Sequence, residues 1–135
     1  MKVPNLDLRK HHESILEELE AAFHRVLDTN AFVLGPEVDQ FESMFAGYCE
    51  TDFAIGTSCG TSALLISLLA LKMQPGDEVI VPAMTFYATA EAVAFLGGIP
   101  VFVDIDESTY TMDTGAIETK ITPRTKGIIP VHLLG

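Results

Sequence analysis

The sequence has few basic residues. Eight lysines and arginines stand against nineteen aspartates and glutamates, which gives a formal net charge of −11. Both signs are spread along the chain, and no basic stretch interrupts the pattern. Proteins that bind nucleic acids through a cationic surface need such a cluster, so the charge pattern argues against that class.

Cysteine and long apolar runs are also scarce. The chain has two cysteines, Cys49 and Cys59, which are too few for the disulfide framework of a small secreted domain. Neither they nor the His11-His12 pair has the spacing of zinc ligands, and we predict no metal site. The longest uncharged apolar run, 92–103, contains two glycines and a proline and is too short to cross a bilayer. Because the N-terminus also lacks a signal-peptide pattern, these absences predict a soluble, cytoplasmic protein.

The first part of the chain has the pattern of two helices. Apolar residues from Ile15 to Leu27 recur at helical spacing with glutamates on the other face, which predicts an amphipathic helix. Pro36 suits the first position of a second helix, which Gly47 is expected to end. The first thirty residues differ in character from the rest, and we interpret 1–30 as an N-terminal helical arm.

After residue 51, short apolar strands alternate with helices. The predicted strands are 53–56, 78–82, 100–105 and 127–132, and the predicted helices are 61–71, 86–96 and 114–118. We expect the first of these helices to be buried on most sides, the second to take Thr85 as its N-cap and the third to take Asp113. The alternation predicts an α/β fold with a mostly parallel sheet and helices on both faces. Because the sequence ends just after a predicted strand, we expect the domain to continue beyond residue 135.

The loop 56–62 is the richest candidate site. It leads from a predicted strand into a helix N-terminus, where unpaired amides and a partial positive charge meet small and hydroxyl-bearing residues. Such a loop is either a phosphate cradle or a plain Ser/Thr cap on a buried helix, and the local sequence alone favours the cap. The lysine of a P-loop and the glycine spacing of a dinucleotide site are both missing, which excludes those two nucleotide motifs.

Aromatic and titratable residues at other strand ends give weaker candidates. Phe86 and Tyr87 follow the second predicted strand and could stack on a planar ligand, although core packing is the commoner role of such residues. His132, at the end of the last strand, could face a pocket, but one histidine without partners does not form a catalytic triad. The acidic cluster 104–107 is interpreted as a solvated turn.

Taken together, these segments resemble one known family. The motifs that carry the resemblance occur in the order 32–38, 41–42, 59–64, 75–80, 85–89, 98–106 and 125–132. Over its whole length the chain is similar to the N-terminal part of the DegT/DnrJ/StrS-type aminotransferases. These are pyridoxal-phosphate enzymes that aminate keto-sugars carried on nucleotides. Ordered motifs are stronger evidence than a likeness of fold alone.

The resemblance implies a fold and a cofactor. The fold is that of the large domain of aspartate-aminotransferase-type (PLP type I) enzymes, of which 31–135 would form an incomplete, cofactor-binding part. The segment Gly60-Thr61-Ser62 would give backbone and hydroxyl donors to the phosphate of pyridoxal 5′-phosphate, and Phe86 would stack on the pyridine ring. Cys59 departs from the family pattern, which usually has serine there, and a thiol is the weaker donor.

The resemblance also implies which groups the chain does not contain. In the family, an aspartate pairs with the pyridine nitrogen and a lysine forms the Schiff base, and both would lie beyond residue 135. Lys126 is not that lysine, since it matches a position at the start of a strand. Without these two groups the ring is a poorer electron sink and has no covalent anchor. We therefore expect no catalytic residue within 1–135 and no activity from this piece alone.

The activity implied for the parent protein is transfer of an amino group to a nucleotide-linked keto-sugar. The amino donor is expected to be an amino acid, with glutamate preferred, and the enzyme is expected to be a homodimer whose subunits complete each other's active sites. Two alternatives remain open at this point. One is a related pyridoxal-phosphate enzyme that dehydrates a sugar at C-3, and the other is a truncated, non-catalytic binding or interaction module.

Overall fold

The computed structural model describes Pro4 and residues 7–134, which divide into two compact units, Met1–Gly56 and Thr57–Gly135. The first unit contains two helices, α1 (Arg9–Thr29) and α2 (Pro36–Tyr48). Both helices were predicted, and Pro36 does occupy the first turn of α2, although that helix runs one residue past Gly47. No helix in the described part of the chain is long and apolar enough to span a membrane.

The strand predicted at 53–56 is wrong. The segment has no ladder partner and is irregular, and both Phe53 and Ile55 are exposed. A strand needs the backbone of a neighbouring strand to bond with, and backbone groups of this stretch bond to side chains instead. The Thr51 hydroxyl donates to the Phe53 carbonyl, and the Gly56 amide donates to the Glu42 carboxylate.

The second unit contains a sheet of three strands, β1 (Glu78–Pro82), β2 (Ile99–Val103) and β3 (Thr125–Ile128). Their order is β2-β1-β3, and both neighbouring pairs are parallel, which confirms the predicted parallel sheet. Every residue of β1 is buried, as expected of a central strand. The outer strands are shifted from their predicted bounds. β2 pairs along all five residues of β1, whereas β3 pairs only with Glu78, Val79 and Ile80.

Helices cover both faces of this sheet, as predicted. On the face formed by Val79 and Val81, the helices α3 (Gly60–Ala70) and α4 (Ala88–Phe95) supply buried residues of the core, and Met73 from the segment after α3 completes it. On the opposite face, Ile80 packs in a second buried cluster against which α5 (Thr114–Ile117) lies. A short 3-10 turn, Glu118–Lys120, follows α5. The Asp113 carboxylate accepts a bond from the Gly115 amide, which confirms the predicted cap.

Two predictions about these helices are wrong. The first concerns the start of α4, which begins at Ala88 with Tyr87 as its N-cap and not after Thr85. The preceding turn is tight, with the Thr89 amide bonded to the Phe86 carbonyl, and this leaves Thr85 outside the helix. The second concerns α3, of which Leu68 is the only fully buried residue, because this helix packs on one side only.

Candidate functional site

Three segments meet at the carboxyl edge of the sheet. Parallel strands end at the same edge, so the residues after β1 and those after β3 lie side by side there. The N-terminus of α3 completes a cleft of about 610 Å³. Its lining comprises Gly60, Thr61, Leu64, Thr85, Phe86, Ala88, Thr89, Ile129, Pro130, Val131, His132 and Leu133. The structure therefore brings the two predicted site segments into one place.

The N-terminus of α3 is open towards this cleft. Cys59 is the extended N-cap residue, and its side chain makes no capping hydrogen bond. The Ala63 amide bonds to the Cys59 carbonyl at 3.0 Å, so the amides of Gly60, Thr61 and Ser62 precede the first helical bond. A Cβ placed on Gly60 would meet no atom within 4 Å. Packing thus does not require a glycine there.

The two hydroxyls that follow Gly60 have different surroundings. Thr61 is half-buried in the wall of the cleft, and its hydroxyl has no hydrogen-bond partner among residues 7–134. Ser62 is not one of the lining residues. Its hydroxyl lies 2.8 Å from the Ser58 hydroxyl and 3.4 Å from the Cys59 sulfur. Within this segment, Thr61 is therefore the hydroxyl available to a ligand.

The Cys59 thiol is acidified by the same arrangement. The Ser62 hydroxyl is the largest cause, and the nearby amides of Ser62 and Thr61 add to it, so that the pKa of Cys59 falls from 9.0 to about 7. The side chain is exposed and lies at the positive end of a helix, where a thiolate is favoured. The local electrostatics of this loop therefore stabilise negative charge.

Phe86 presents an open aromatic surface to the cleft. It lies between β1 and α4, and 63% of its surface is exposed. Its ring centroid is 4.5 Å from that of Tyr87, with the planes tilted by 56°. Tyr87 itself does not line the cleft. This pair is therefore not core packing, and Phe86 is free to contact a planar molecule.

Three polar residues line the cleft to which the resemblance gave no role, although His132 was a weaker candidate on its position alone. Thr85 and Thr89 lie with their hydroxyl oxygens 3.3 Å apart, and His132 follows β3 on the adjacent segment. The one sequence signal for His132 was its position at the carboxyl end of a strand. The threonines gave no separate signal, because their pattern in the sequence is that of ordinary helix-start residues.

The acidic cluster after β2 lies outside the cleft and forms a closed turn. The Asp106 carboxylate accepts bonds from the Ser108 amide at 2.8 Å and the Thr109 amide at 3.1 Å. These bonds, with the Ser108 hydroxyl as the largest contributor, hold the pKa of Asp106 below its usual value. These bonds agree with a turn whose own amides and hydroxyl groups pair with the Asp106 carboxylate.

The cleft as a whole fits a small molecule that carries both an anion and a planar ring. No acidic residue is among the side chains that line it, although the sequence carries nineteen acids. Open amides and the Thr61 hydroxyl stand at one part of the wall, and an aromatic face stands at another. Several of the remaining lining residues are apolar, as is typical of ligand pockets.

Comparison with known proteins gives a consistent result. The profile of the family described as "DegT/DnrJ/EryC1/StrS aminotransferase family" matches residues 13–135. A UDP-N-acetyl-3-dehydro-alpha-D-glucosamine 3-aminotransferase from Acidithiobacillus ferrooxidans is 47% identical over 133 residues, which is 98% of this chain and 36% of that protein.

Solved structures show the same likeness. The NtdA protein of Bacillus subtilis, crystallised with bound cofactor PMP, matches with a TM-score of 0.89 and 44% identity over 98% of this chain. An Escherichia coli GDP-4-keto-6-deoxy-D-mannose-3-dehydratase with bound hydrated PLP matches with a TM-score of 0.80 and 34% identity over 86% of this chain. Both matches cover 31% of the solved chain. The chain thus spans about a third of the length of the relatives it matches.

Proposed function

We propose a function on the basis that the chain belongs to the DegT/DnrJ/EryC1/StrS aminotransferase family. The whole protein that contains it transfers an amino group to a nucleotide-linked keto-sugar, with pyridoxal 5′-phosphate as its cofactor. One observation carries this proposal. An uncapped helix N-terminus and an exposed aromatic ring line the same cleft, which suits a cofactor built of a phosphate and a planar ring.

The phosphate is assigned to the N-terminus of α3. The amides of Gly60, Thr61 and Ser62 would hold it, and the unpaired Thr61 hydroxyl would add a further donor. Ser62 contributes chiefly its amide, since its hydroxyl is already bonded to Ser58. The partial positive charge of the helix end would favour the dianion.

The ring is assigned to the face of Phe86. Stacking there fixes the plane of the ring, while apolar residues such as Leu64, Ile129 and Val131 exclude water beside it. The bound cofactor supplies a ring that accepts an amino group from a donor and passes it to an acceptor. The residues of this chain supply binding and orientation.

The 135-residue chain on its own is proposed to be inactive. None of the four described lysines, Lys10, Lys72, Lys120 and Lys126, is among the residues that line the cleft. A lysine that anchors the ring and moves protons would have to reach that cleft. We also propose that 1–30 is an N-terminal arm and that 31–135 is part of the cofactor-binding domain. The whole enzyme is proposed to be a cytoplasmic homodimer that uses glutamate as its amino donor.

The experiment is an assay of the whole protein with pyridoxal 5′-phosphate, glutamate and a panel of nucleotide-linked 3-keto- and 4-keto-sugars. The expected result is an amino sugar formed together with one equivalent of 2-oxoglutarate, and no turnover by the 135-residue chain. Glutamate that is not consumed with any member of the panel would contradict the proposal. Turnover by the chain alone would contradict its proposed inactivity.

A second candidate function is dehydration of a sugar at C-3. The observation that favours it is the likeness to the solved GDP-4-keto-6-deoxy-D-mannose-3-dehydratase. The same assay separates the two, because dehydration removes the C-3 hydroxyl and leaves no nitrogen on the sugar product.

A further inference from the structure

His132 is the one cleft-lining residue with an ionisable side chain. It is exposed, and its imidazole forms no hydrogen bond or ion pair with any residue of the described range 7–134. A histidine that the fold neither buries nor pairs has no evident structural task. Its place in the wall of the cleft is therefore the one feature that distinguishes it.

His132 and Phe86 lie on neighbouring segments of the cleft wall. His132 follows β3, and Phe86 follows β1, the strand with which β3 is paired in parallel. Its immediate neighbours Pro130, Val131 and Leu133 offer no side-chain donor to a polar substituent of a ring.

The other hydroxyls that line the cleft are less available to a ring stacked on Phe86. Those of Thr85 and Thr89 already lie within hydrogen-bond distance of each other, and Thr61 belongs to the α3 N-terminus. Among the described residues that line the cleft, His132 is therefore the polar side chain left unengaged near a ring stacked on Phe86. An imidazole can serve as donor or as acceptor, according to which nitrogen carries the proton.

We propose that His132 is a positioning residue of the cofactor cleft, hydrogen-bonded to a polar substituent of the bound pyridine ring and not to its phosphate. This inference rests on the proposed function, since it assumes that the cleft holds a phosphorylated pyridine. The bond would set the rotation of the ring about the stacking axis, which Phe86 alone leaves free because a flat stacking contact does not select one orientation.

The test uses equilibrium binding to the cofactor-free whole protein. The probes are pyridoxamine 5′-phosphate, which needs no lysine to bind, and inorganic phosphate. We expect His132→Ala to weaken binding of pyridoxamine 5′-phosphate roughly tenfold, in line with the loss of one hydrogen bond, and to leave binding of inorganic phosphate unchanged. Either His132→Asn or His132→Gln should restore most of the affinity, because each keeps an N–H donor and a carbonyl acceptor.

Controls separate this inference from the function on which it rests. His24→Ala, which removes an exposed histidine of α1, should bind both probes as wild type does, and thermal unfolding should show His132→Ala to be folded. Unchanged binding of pyridoxamine 5′-phosphate to His132→Ala would overturn the inference alone. Equal weakening of both probes, or no recovery with either amide, would also overturn it. Failure of the wild-type protein to bind pyridoxamine 5′-phosphate would overturn the proposed function as well.

Discussion

At the scale of single residues, Cys59 and Ser62 show how the α3 N-terminus favours negative charge. The Ser62 hydroxyl lies 3.4 Å from the Cys59 sulfur and is the largest cause of the lowered pKa of that thiol. The thiolate, not the thiol, reacts with alkylating reagents. The reactivity of Cys59 therefore reports directly on the electrostatics of the loop.

The first prediction uses this reactivity. In a Cys49→Ser background, the rate of alkylation of Cys59 by iodoacetamide should rise with pH and reach half its maximum near pH 7, where the pKa of the thiol lies. Adding Ser62→Ala should move that midpoint to higher pH, because the leading stabiliser of the thiolate is gone. Ser67→Ala, on the exposed side of the same helix, is the matched control and should leave the midpoint in place. An unmoved midpoint in Ser62→Ala would refute this explanation.

At the scale of elements, the turn before β2 depends on the absence of a side chain at Gly98. A Cβ there would lie 1.8 Å from the Met73 side chain and 3.1 Å from both the Asp77 carbonyl and a methyl group of Val93. Met73 and Val93 belong to the main buried core. The methionine tip can move, but the backbone carbonyl and the buried valine have little freedom.

Gly98→Ala should therefore lower the free energy of unfolding by about 1–3 kcal/mol, the usual range for an overpacked core. The matched control is Gly127→Ala in β3, where a Cβ would meet nothing within 4 Å. Urea unfolding of both variants, followed by circular dichroism, measures the difference. Equal stability of the two variants would show that the turn rearranges freely.

The amino end of β1 is held by a buried carboxylate. The side chain of Glu78 is 6% exposed and forms an ion pair with Arg124, whose Nε donates at 2.9 Å, and it also accepts a bond from the Thr122 hydroxyl. Thr122 first and Arg124 second lower the pKa of Glu78 from its ordinary 4.5. Because the pKa is lower in the folded than in the unfolded chain, this stabilisation is complete above about pH 4.5 and is lost as pH falls through the folded pKa.

Glu78→Gln should accordingly lower the urea midpoint at pH 7, since the amide cannot pair with the guanidinium. The gap between variant and wild type should narrow as pH falls from 4.5 through the lowered pKa of folded Glu78, below which the wild-type carboxyl group is neutral as well. Glu107→Gln, in an exposed turn, serves as the control and should track wild type throughout. A gap that is the same at both ends of the pH range would contradict the role of this ion pair.

The elements differ in how well the sequence predicts them. Some have bounds set by neighbouring residues in the sequence, whereas others depend on contacts with distant residues. β1 has its observed bounds because an apolar run is closed by the turn at Gly76 and by Pro82. The 53–56 segment carries an equally apolar pattern. Whether it forms a strand depends on the edge of a neighbouring strand, which the local sequence does not encode. The start of α4 was misplaced for a similar reason, since the turn at Phe86 is set by carbonyl geometry and not by a capping side chain.

The candidate site shows the same limit. The resemblance marked Gly60, Thr61, Ser62 and Phe86 from ordered motifs, and those assignments remain predictions. The sequence did not distinguish the free Thr61 hydroxyl from the engaged one of Ser62, because that difference lies in the contact with Ser58. It gave His132 only as a weaker candidate, because the position of His132 near Phe86 depends on the pairing of β3 with β1.

At the scale of the whole molecule, a net charge of −11 accompanies much exposed apolar surface. On α1, the exposed apolar residues Leu16, Leu19, Phe23 and Leu27 follow helical spacing along one face. Large apolar patches mark surfaces that associate. The like charge of two copies opposes such contact between them, and salt screens this repulsion.

We therefore predict that the 135-residue chain self-associates, and that the association strengthens as salt rises from about 0.01 M to 0.5 M. Phe23→Glu should weaken it by adding charge to the apolar face of α1, whereas His24→Glu adds the same charge at the neighbouring position as a control. Sedimentation velocity across a wide concentration range measures the effect. A single monomeric species at all concentrations and salts would contradict the prediction.

The central claim, that the α3 N-terminus holds the cofactor phosphate, is tested most directly by titrating pyridoxamine 5′-phosphate into the cofactor-free whole protein. Thr61→Asp removes a donor and sets a negative charge against the phosphate. Two charges about 4 Å apart repel by roughly 4 kcal/mol at an effective dielectric near 20, and even about 1.4 kcal/mol weakens binding tenfold. An acidic residue in the first turn of a helix favours folding, so the loss is expected in binding and not in stability.

Phe86→Ala should cost less, roughly 1 kcal/mol if aromatic pairs are a guide. Thr114→Asp, in the first turn of α5 on the other face of the sheet, adds the same charge away from the cleft and should bind as wild type does. Affinity should fall from wild type through Phe86→Ala to Thr61→Asp, with the last weakened at least about tenfold. A folded Thr61→Asp protein that binds pyridoxamine 5′-phosphate as tightly as wild type would contradict the central claim.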